Sequence, residues 1–162
     1  MTADEFAALV ARLGASATAG DGEAFAACFA PDGVYHDYIY GLHKGRAAIA
    51  DMLANLFHRD ATDYHWQFLD PVISGDIGYA RSLSRFVSTI AEYKGRRIVI
   101  DGISRFVLAD GLIAEYRESV NGGVAMTQLG VAPERMAKVF HRWTERFLAE
   151  PEVAAYRAGF KK

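Results

Sequence analysis

Apolar residues recur at helical spacing at both ends of the chain and alternate through its middle. Within residues 3–14, Phe6, Leu9, Val10 and Leu13 share one helical face. Thr18, Gly20, Asp21 and Gly22 break that pattern. Phe25, Cys28 and Phe29 then mark one side of a second, short helix, which "APDG" (30–33) stops. The aromatic, β-branched run "VYHDYIY" (34–40) predicts a strand, and "GLHKG" after it a loop. Residues 46–58 carry Ile49, Met52, Leu53, Leu56 and Phe57, the stripe of an amphipathic helix.

Between about 63 and 121 the period becomes two. "DYHWQFLDPVIS", "GYARSLSRFVSTIAEY", "RRIVIDGISRFVLA" and "LIAEYRESVN" predict four strands. "GDI", "KG" and "DG" separate them, and "DG" is a strong hairpin turn because both positions favour positive φ. Helices return after Gly123. Pro133 fits a first helical turn, Met136, Val139, Phe140, Trp143 and Phe147 form a stripe, and Pro151 opens a last short helix. The order predicts an α+β fold, with a curved antiparallel sheet wrapped around N-terminal helices. It reads as one domain, residues 1–162, with a core of about 5–130 and a helical appendage at 131–162.

Sorting the last three strands by parity separates two faces. Even positions hold Ala80, Ser82, Ser84, Phe86, Ser88 and Ile90, then Ile98, Ile100, Gly102, Ser104, Phe106 and Leu108, then Leu112, Ala114, Tyr116, Glu118 and Val120. Odd positions hold Arg81, Arg85, Arg97, Arg105 and Arg117 with Asp101, Glu115 and Asn121. The even face is therefore the inner one, and Glu118 is its one ionisable acid. The serines with Ala80, Gly102 and Ala114 suggest a cavity there. Leu83, Val87, Val99, Ile103 and Val107 sit among the outer arginines, a mixture that suits either a solvated sheet or contact with a second subunit.

Composition adds limits. Hydrophobic residues make up 51% and charged residues 23%, as in ordinary globular proteins. The net charge is −2 with dispersed basic residues, so neither nucleic acid nor a membrane surface is an expected partner. "MTADEFAALVARLG" lacks the basic start of a signal peptide, and the single cysteine, Cys28, allows no internal disulfide. A cytoplasmic location is expected.

"FAPDGVYHDYIYGLHKGRAAI" (29–49), "SGDIGYARS" (74–82) and "DGLIAEYRESVNGGVAMTQLG" (110–130) together resemble the SnoaL-like branch of the nuclear-transport-factor-two-like superfamily. Polyketide cyclases, ketosteroid isomerases, scytalone dehydratase and limonene epoxide hydrolases are its members. The resemblance implies a cone-shaped α+β barrel with a pocket between sheet and helices, and a homodimer through the outer sheet face. Aligned with the epoxide hydrolases, Tyr35 matches a water-holding Tyr and Asp37 an Asn. Ser82, Ser84 and Glu118 stand where an Arg and two Asp residues are needed, so epoxide hydrolysis is not expected. Asn121 stands where many SnoaL-like members carry an Asp.

The sharpest candidate chemistry is the pair Glu118 and Asp37 beside Tyr35. Burial raises a carboxyl pKa, and two neighbouring acids push their values apart, which gives one base and one acid. Such a pair moves protons next to a carbonyl, with Tyr35 or Ser104 donating to the developing oxyanion. Phe86, Ser82, Ser84, Ser104, Phe106 and Tyr116 are the expected substrate-binding residues. The resemblance then implies a cofactor-independent isomerase, cyclase or dehydratase acting on a small, largely apolar ligand, and the absence of G-x-G-x-x-G, P-loop and G-x-S-x-G gives no sign of a nucleotide cofactor or a hydrolase elbow. No metal site is expected, because His36 and His65 lack a second spaced pair. The alternative is a binding or dimeric association module in which Glu118 is a hydrogen-bonded structural acid. Cys28 reads as a packed thiol, and His43, Lys44 and Arg46 as a solvated turn.

Overall fold

Helix α1 (Ala3–Ala19) starts on a reciprocal cap. The Thr2 hydroxyl accepts from the Glu5 amide and the Glu5 carboxylate accepts from the Thr2 amide, at 3.2 and 2.7 Å. Two donors that a helix start leaves open are thereby satisfied. The expected stripe, Phe6, Leu9, Val10 and Leu13, is buried. This computed structural model describes residues 1–37 and 39–160. Tyr38, part of the expected 34–40 strand, lies outside the described residues.

Helix α2 (Gly22–Ala27) is capped by Asp21 and leads into β1 (Phe29–Asp37). The strand begins earlier than its apolar run because it pairs in parallel with β6 (Leu112–Val120) from Phe29 onward. An irregular register between Phe29 and Val34 leaves Pro31 and Asp32 exposed inside the strand. "GLHKG" is more than a loop. Its first four residues form β2 (Gly41–Lys44), antiparallel to β1 with His43 opposite Tyr35. A four-residue strand between glycines is too short to show alternation, which is why it reads as a turn. Residues 46–58 are not one α-helix either. Helix α3 (Arg46–Met52) passes into a π-helical turn (Leu53–Phe57) and a final turn, α4 (His58–Asp60).

The long strands β3 (Ala61–Ser74), β4 (Ile77–Ser88) and β5 (Arg97–Ala109) complete a six-stranded sheet in the order β2-β1-β6-β5-β4-β3. All neighbours are antiparallel except β1 and β6. Strand β4 ends before the expected Tyr93, since Ala91–Tyr93 form a 3-10 turn. The β5–β6 turn is as expected, with Asp110 at φ 50° and Gly111 at φ 78°.

One parity assignment fails. A bulge shifts the register, so Leu108 pairs with Ile113 while Val107 pairs with Glu115. Ile113, not Leu112 or Ala114, is the fully buried residue at that end. Past the bulge the even face is the inner one, as expected.

After β6, Asn121 accepts from the Val124 amide at 3.2 Å and starts helix α5 (Gly122–Leu129). Gln128 then takes the place of the strand that has ended. Its amide accepts from Val99 N at 2.9 Å and donates to Val99 O at 2.8 Å. All of these elements belong to one compact unit, Met1–Leu129. Its core joins α1 to the sheet through Phe6 and Phe106, whose rings meet edge-on at 5.3 Å.

Gly130–Lys162 form a second unit with helices α6 (Pro133–Ala149) and α7 (Pro151–Arg157), each opened by its proline. Within it Phe140 meets Trp143 edge-on at 5.6 Å, while Phe147 is exposed. Among the described residues, no helix is long and apolar enough to cross a membrane.

Gly14 carries the closest approach of α1 to β3. A Cβ there would stand 2.8 Å from the Trp66 carbonyl oxygen. Gly14→Ala gains up to about 1 kcal/mol of helix propensity but forces the helix off a backbone atom, an overpacking cost of about 1–3 kcal/mol. Net destabilisation is the expected result of urea denaturation. A more stable variant would show that α1 has room to shift.

Candidate functional site

The parallel pairing of β1 with β6 sets Tyr35 opposite Tyr116, and the two rings stack with centroids 4.5 Å apart. Two residues further along each strand, Asp37 and Glu118 fall on the same inner face. Each acid is held differently. Asp37 is buried, and its Oδ1 accepts from the amides of Ile39 and Tyr40. Glu118 Oε2 accepts from the Tyr116 hydroxyl at 3.0 Å. That spends the single phenol proton, so Ser104 Oγ, 2.8 Å from Tyr116 Oη, serves as donor to it.

Glu118 keeps some accessible surface, with its carboxyl against the Tyr116 hydroxyl. Burial, and next the charge of Asp37, push its pKa up to about 8, against a smaller lowering by the Tyr116 bond. The acid is thus mostly neutral near pH 7 and can both give and take a proton. Burial, then Glu118, hold the Tyr116, Tyr35 and Tyr64 phenols above their ordinary range. Tyr35 is fully buried, and its hydroxyl has no hydrogen-bond partner among the described residues. An unmet buried hydroxyl costs about 1–3 kcal/mol.

Three rings that the sequence did not single out for the site complete it. Phe57, carried by the π-helical turn, meets Tyr35 edge-on at 6.4 Å and lies 6.1 Å from Tyr64. Tyr64 stacks on Phe86 at 6.0 Å. Tyr40 lies 5.7 Å from Phe57 and donates its hydroxyl to Asp60 Oδ2 at 2.7 Å. The even spacing of Tyr64, Trp66 and Phe68 in "DYHWQF" was the available signal for the β3 contribution.

The other expected binding residues divide by depth. Ser84 and Phe86 are half-buried, on the part of the inner face that solvent still reaches, along with Ile100 and Glu118. Ser82, Ser104 and Phe106 sit deeper, and Phe106 is enclosed by Phe6, Phe68 and Tyr116. Small residues do not open the space. Ala80 is buried, and a Cβ on Gly102 would meet Ser119 O at 2.7 Å and Val120 Cγ1 at 2.9 Å. A pocket of about 420 Å³ lies instead on the outer face, lined by Arg81, Asp101, Ile103, Ser119 and Asn121 among others. It is open and polar, with the Arg81–Asp101 ion pair at 2.9 Å, and holds none of the inner acids.

Other expected features take structural places. His43 is not a solvated turn residue, since it faces inward on β2, half-buried, with its Nε2 shielded from water. Cys28 is free and buried, its thiol pushed up by burial. Glu115 and Arg117 pair on the outer face at 3.0 Å. Among the described residues, no three His, Cys, Asp or Glu side chains gather as metal ligands.

The model of the SnoaL-like domain family matches residues 8–116, and the chain belongs to that family. No curated protein sequence matches it. Solved structures share the fold. A protein of ketosteroid isomerase-like fold from Catenulispora acidiphila, solved with trimethylamine, is 18% identical over 76% of this chain and 93% of its own, with a TM-score of 0.69. TsrD from Streptomyces laurentii is 20% identical over 82% of this chain and 99% of its own, at 0.72. A LEH-like epoxide hydrolase from M. tuberculosis is 14% identical over 78% of this chain and 90% of its own, at 0.64. The resemblance read from the sequence is borne out.

Glu118 also sets a pH dependence of stability. Its folded pKa, about 8, lies above its ordinary value of 4.5, so between these limits the folded chain binds more protons than the unfolded one. Stability contributed by the neutral acid is present below 4.5 and is lost as pH rises through 8. Glu118→Gln removes that loss. The variant is expected to gain on the wild type from pH 5 to pH 9, by on the order of a few kcal/mol at about 1.4 kcal/mol per pKa unit. Urea denaturation at pH 5, 7 and 9 measures the gap, and a gap that does not change with pH contradicts a neutral buried Glu118.

Proposed function

We propose that this SnoaL-like chain is a cofactor-independent acid–base enzyme of isomerase, cyclase or dehydratase type. Its substrate is a small, largely apolar molecule bearing a carbonyl or hydroxyl group, bound against the aromatic inner face. The observation that carries the reading is Glu118, a carboxyl poised near neutrality by burial, beside the fully buried and unpartnered hydroxyl of Tyr35. In its ionised form Glu118 takes a proton from carbon next to a carbonyl; the C–H electron pair becomes a C=C bond and the C=O π pair moves onto the carbonyl oxygen. Tyr35 donates to that oxygen as charge develops. The proton returns from Glu118 to another carbon, or to a departing hydroxyl that leaves as water. Asp37 keeps the Glu118 pKa high and is the second acid of the pair. The amine held by the Catenulispora relative supports a ligand of small size.

The outer face is an interface for a second copy. Val72, Tyr79, Val99 and Ile103 are 61, 43, 48 and 52% exposed among arginines of the same face. A free cysteine suits the reducing cytoplasm as its location.

Two measurements follow. Deuterium exchange next to the carbonyl of a panel of small ketones, read by NMR, should fall about 10²–10⁴-fold in Glu118→Gln. Tyr35→Phe should slow it while leaving its pH profile in place. Exchange that persists in Glu118→Gln with an unchanged profile removes Glu118 from the chemistry. For the interface, sedimentation should show a wild-type dimer and a folded Ile103→Asp monomer. A monomeric wild type at tens of micromolar overturns the dimer.

A further inference from the structure

The inner site has a sign as well as a shape. Three half-buried rings from three separate segments of the chain border it, Phe57, Tyr64 and Phe86, above the fully buried and mutually stacked Tyr35 and Tyr116. The face of each ring is the negative part of its quadrupole. Among them stands Glu118, which makes no ion pair among the described residues, and the groups that set its ionisation are Asp37 and Tyr116. The strand arginines point the other way, and four of the five are engaged there, Arg81 with Asp101, Arg85 with Asp63, and Arg105 and Arg117 with Glu115. The buried Tyr35 hydroxyl adds an unpartnered polar atom between the rings and the acid. Ring faces and a carboxyl group together attract a cation.

We infer that the ligand of this site carries a compact positively charged nitrogen, a protonated amine or a methylated ammonium, seated on the aromatic faces next to Glu118. The inference deepens the acid–base reading and rests on its placing the ligand against Glu118. It does not depend on turnover. A cation here does two things. It gains from the ring faces by cation–π attraction, and it stabilises the ionised form of Glu118. By linkage, binding then tightens as pH rises through the range in which Glu118 loses its proton. The groups facing Glu118 are Asp37 and Tyr35 from β1, Tyr64 from β3, Ser104 from β5 and Tyr116 from β6. The three phenols are all held above their ordinary range and do not titrate in that window.

The test uses the full chain and two probes of one shape. Choline and 3,3-dimethylbutan-1-ol differ only by a charged nitrogen in place of a carbon. Both carry a hydroxyl for Tyr35. NMR titrations at pH 6.5 and pH 9 give their affinities. Choline is expected to bind about tenfold or more tightly than the alcohol at pH 9, with a smaller ratio at pH 6.5. Glu118→Gln should remove the pH dependence, and Phe57→Leu should weaken choline more than the alcohol. If the alcohol binds as well as choline at both pH values, or choline does not bind at millimolar concentration, the inference is overturned. If the alcohol is preferred while Glu118→Gln still abolishes ketone exchange, the acid–base reading survives and the cationic ligand does not. If choline binds as expected and exchange is indifferent to Glu118, the site is a cation-binding one without that chemistry.

Discussion

The parallel pairing of β1 with β6 is the constraint on which the site depends. Parallel neighbours cannot be joined by a short turn, so helix α3 and three long strands intervene between them. Their register brings an acid from early in the chain beside one from late in it. Tyr35 stacked on Tyr116 fixes that register from the inside. A slip of β1 by one residue would turn Asp37 and Tyr35 to the outer face, away from Glu118 and Tyr116. Apolar burial and the acidic pair therefore specify the same alignment.

The arrangement opposes stability locally. Glu118 is kept neutral at a cost that grows with pH, and Tyr35 buries a hydroxyl with no partner. What offsets these is an aromatic core that does not need them. Phe25 packs near Phe29, Tyr35 and Trp66, and Phe106 packs between Phe6 and Phe68. Departures from local consistency concentrated at one place, in an otherwise consistent fold, are what a functional site looks like energetically.

Period-two alternation made the inner face of β4, β5 and most of β6 legible, and with it Glu118. The Asp-Gly turn was legible because its residue types match its backbone demand. What escaped has a common physical cause, a local change of register. The bulge near Ile113 swaps faces for two residues. Asp63 and Asp70 adopt left-handed φ of 49° and 50° where β3 slips against β4, and Tyr64 shares the parity of Trp66 and Phe68 only from the first of these slips onward. A π-helical turn interrupts the helix at Leu53–Phe57, and Phe57, on the expected stripe, packs at the margin of the core and not inside it. Strand β2 escaped because four residues are fewer than alternation needs. Each missed ring belongs to such an irregular segment or to the Asp37 turn.

Those irregularities are also what make the site. Regular strands and a regular helix would present their aromatic residues at even spacing to the core, where they would be sealed in. A π turn, the left-handed Asp63 and the amide-capped Asp37 turn lie beside or within the segments that carry Phe57, Tyr64 and Tyr40. Meanwhile the alternation of β4, β5 and β6 past its bulge keeps the strand guanidinium groups on the opposite side. Regular structure thus determines the charge of the site by exclusion, and irregular structure supplies its walls. Neither feature alone defines a ligand. An acid without the rings would stay solvated and ionised, and rings without the acid would be one more piece of core.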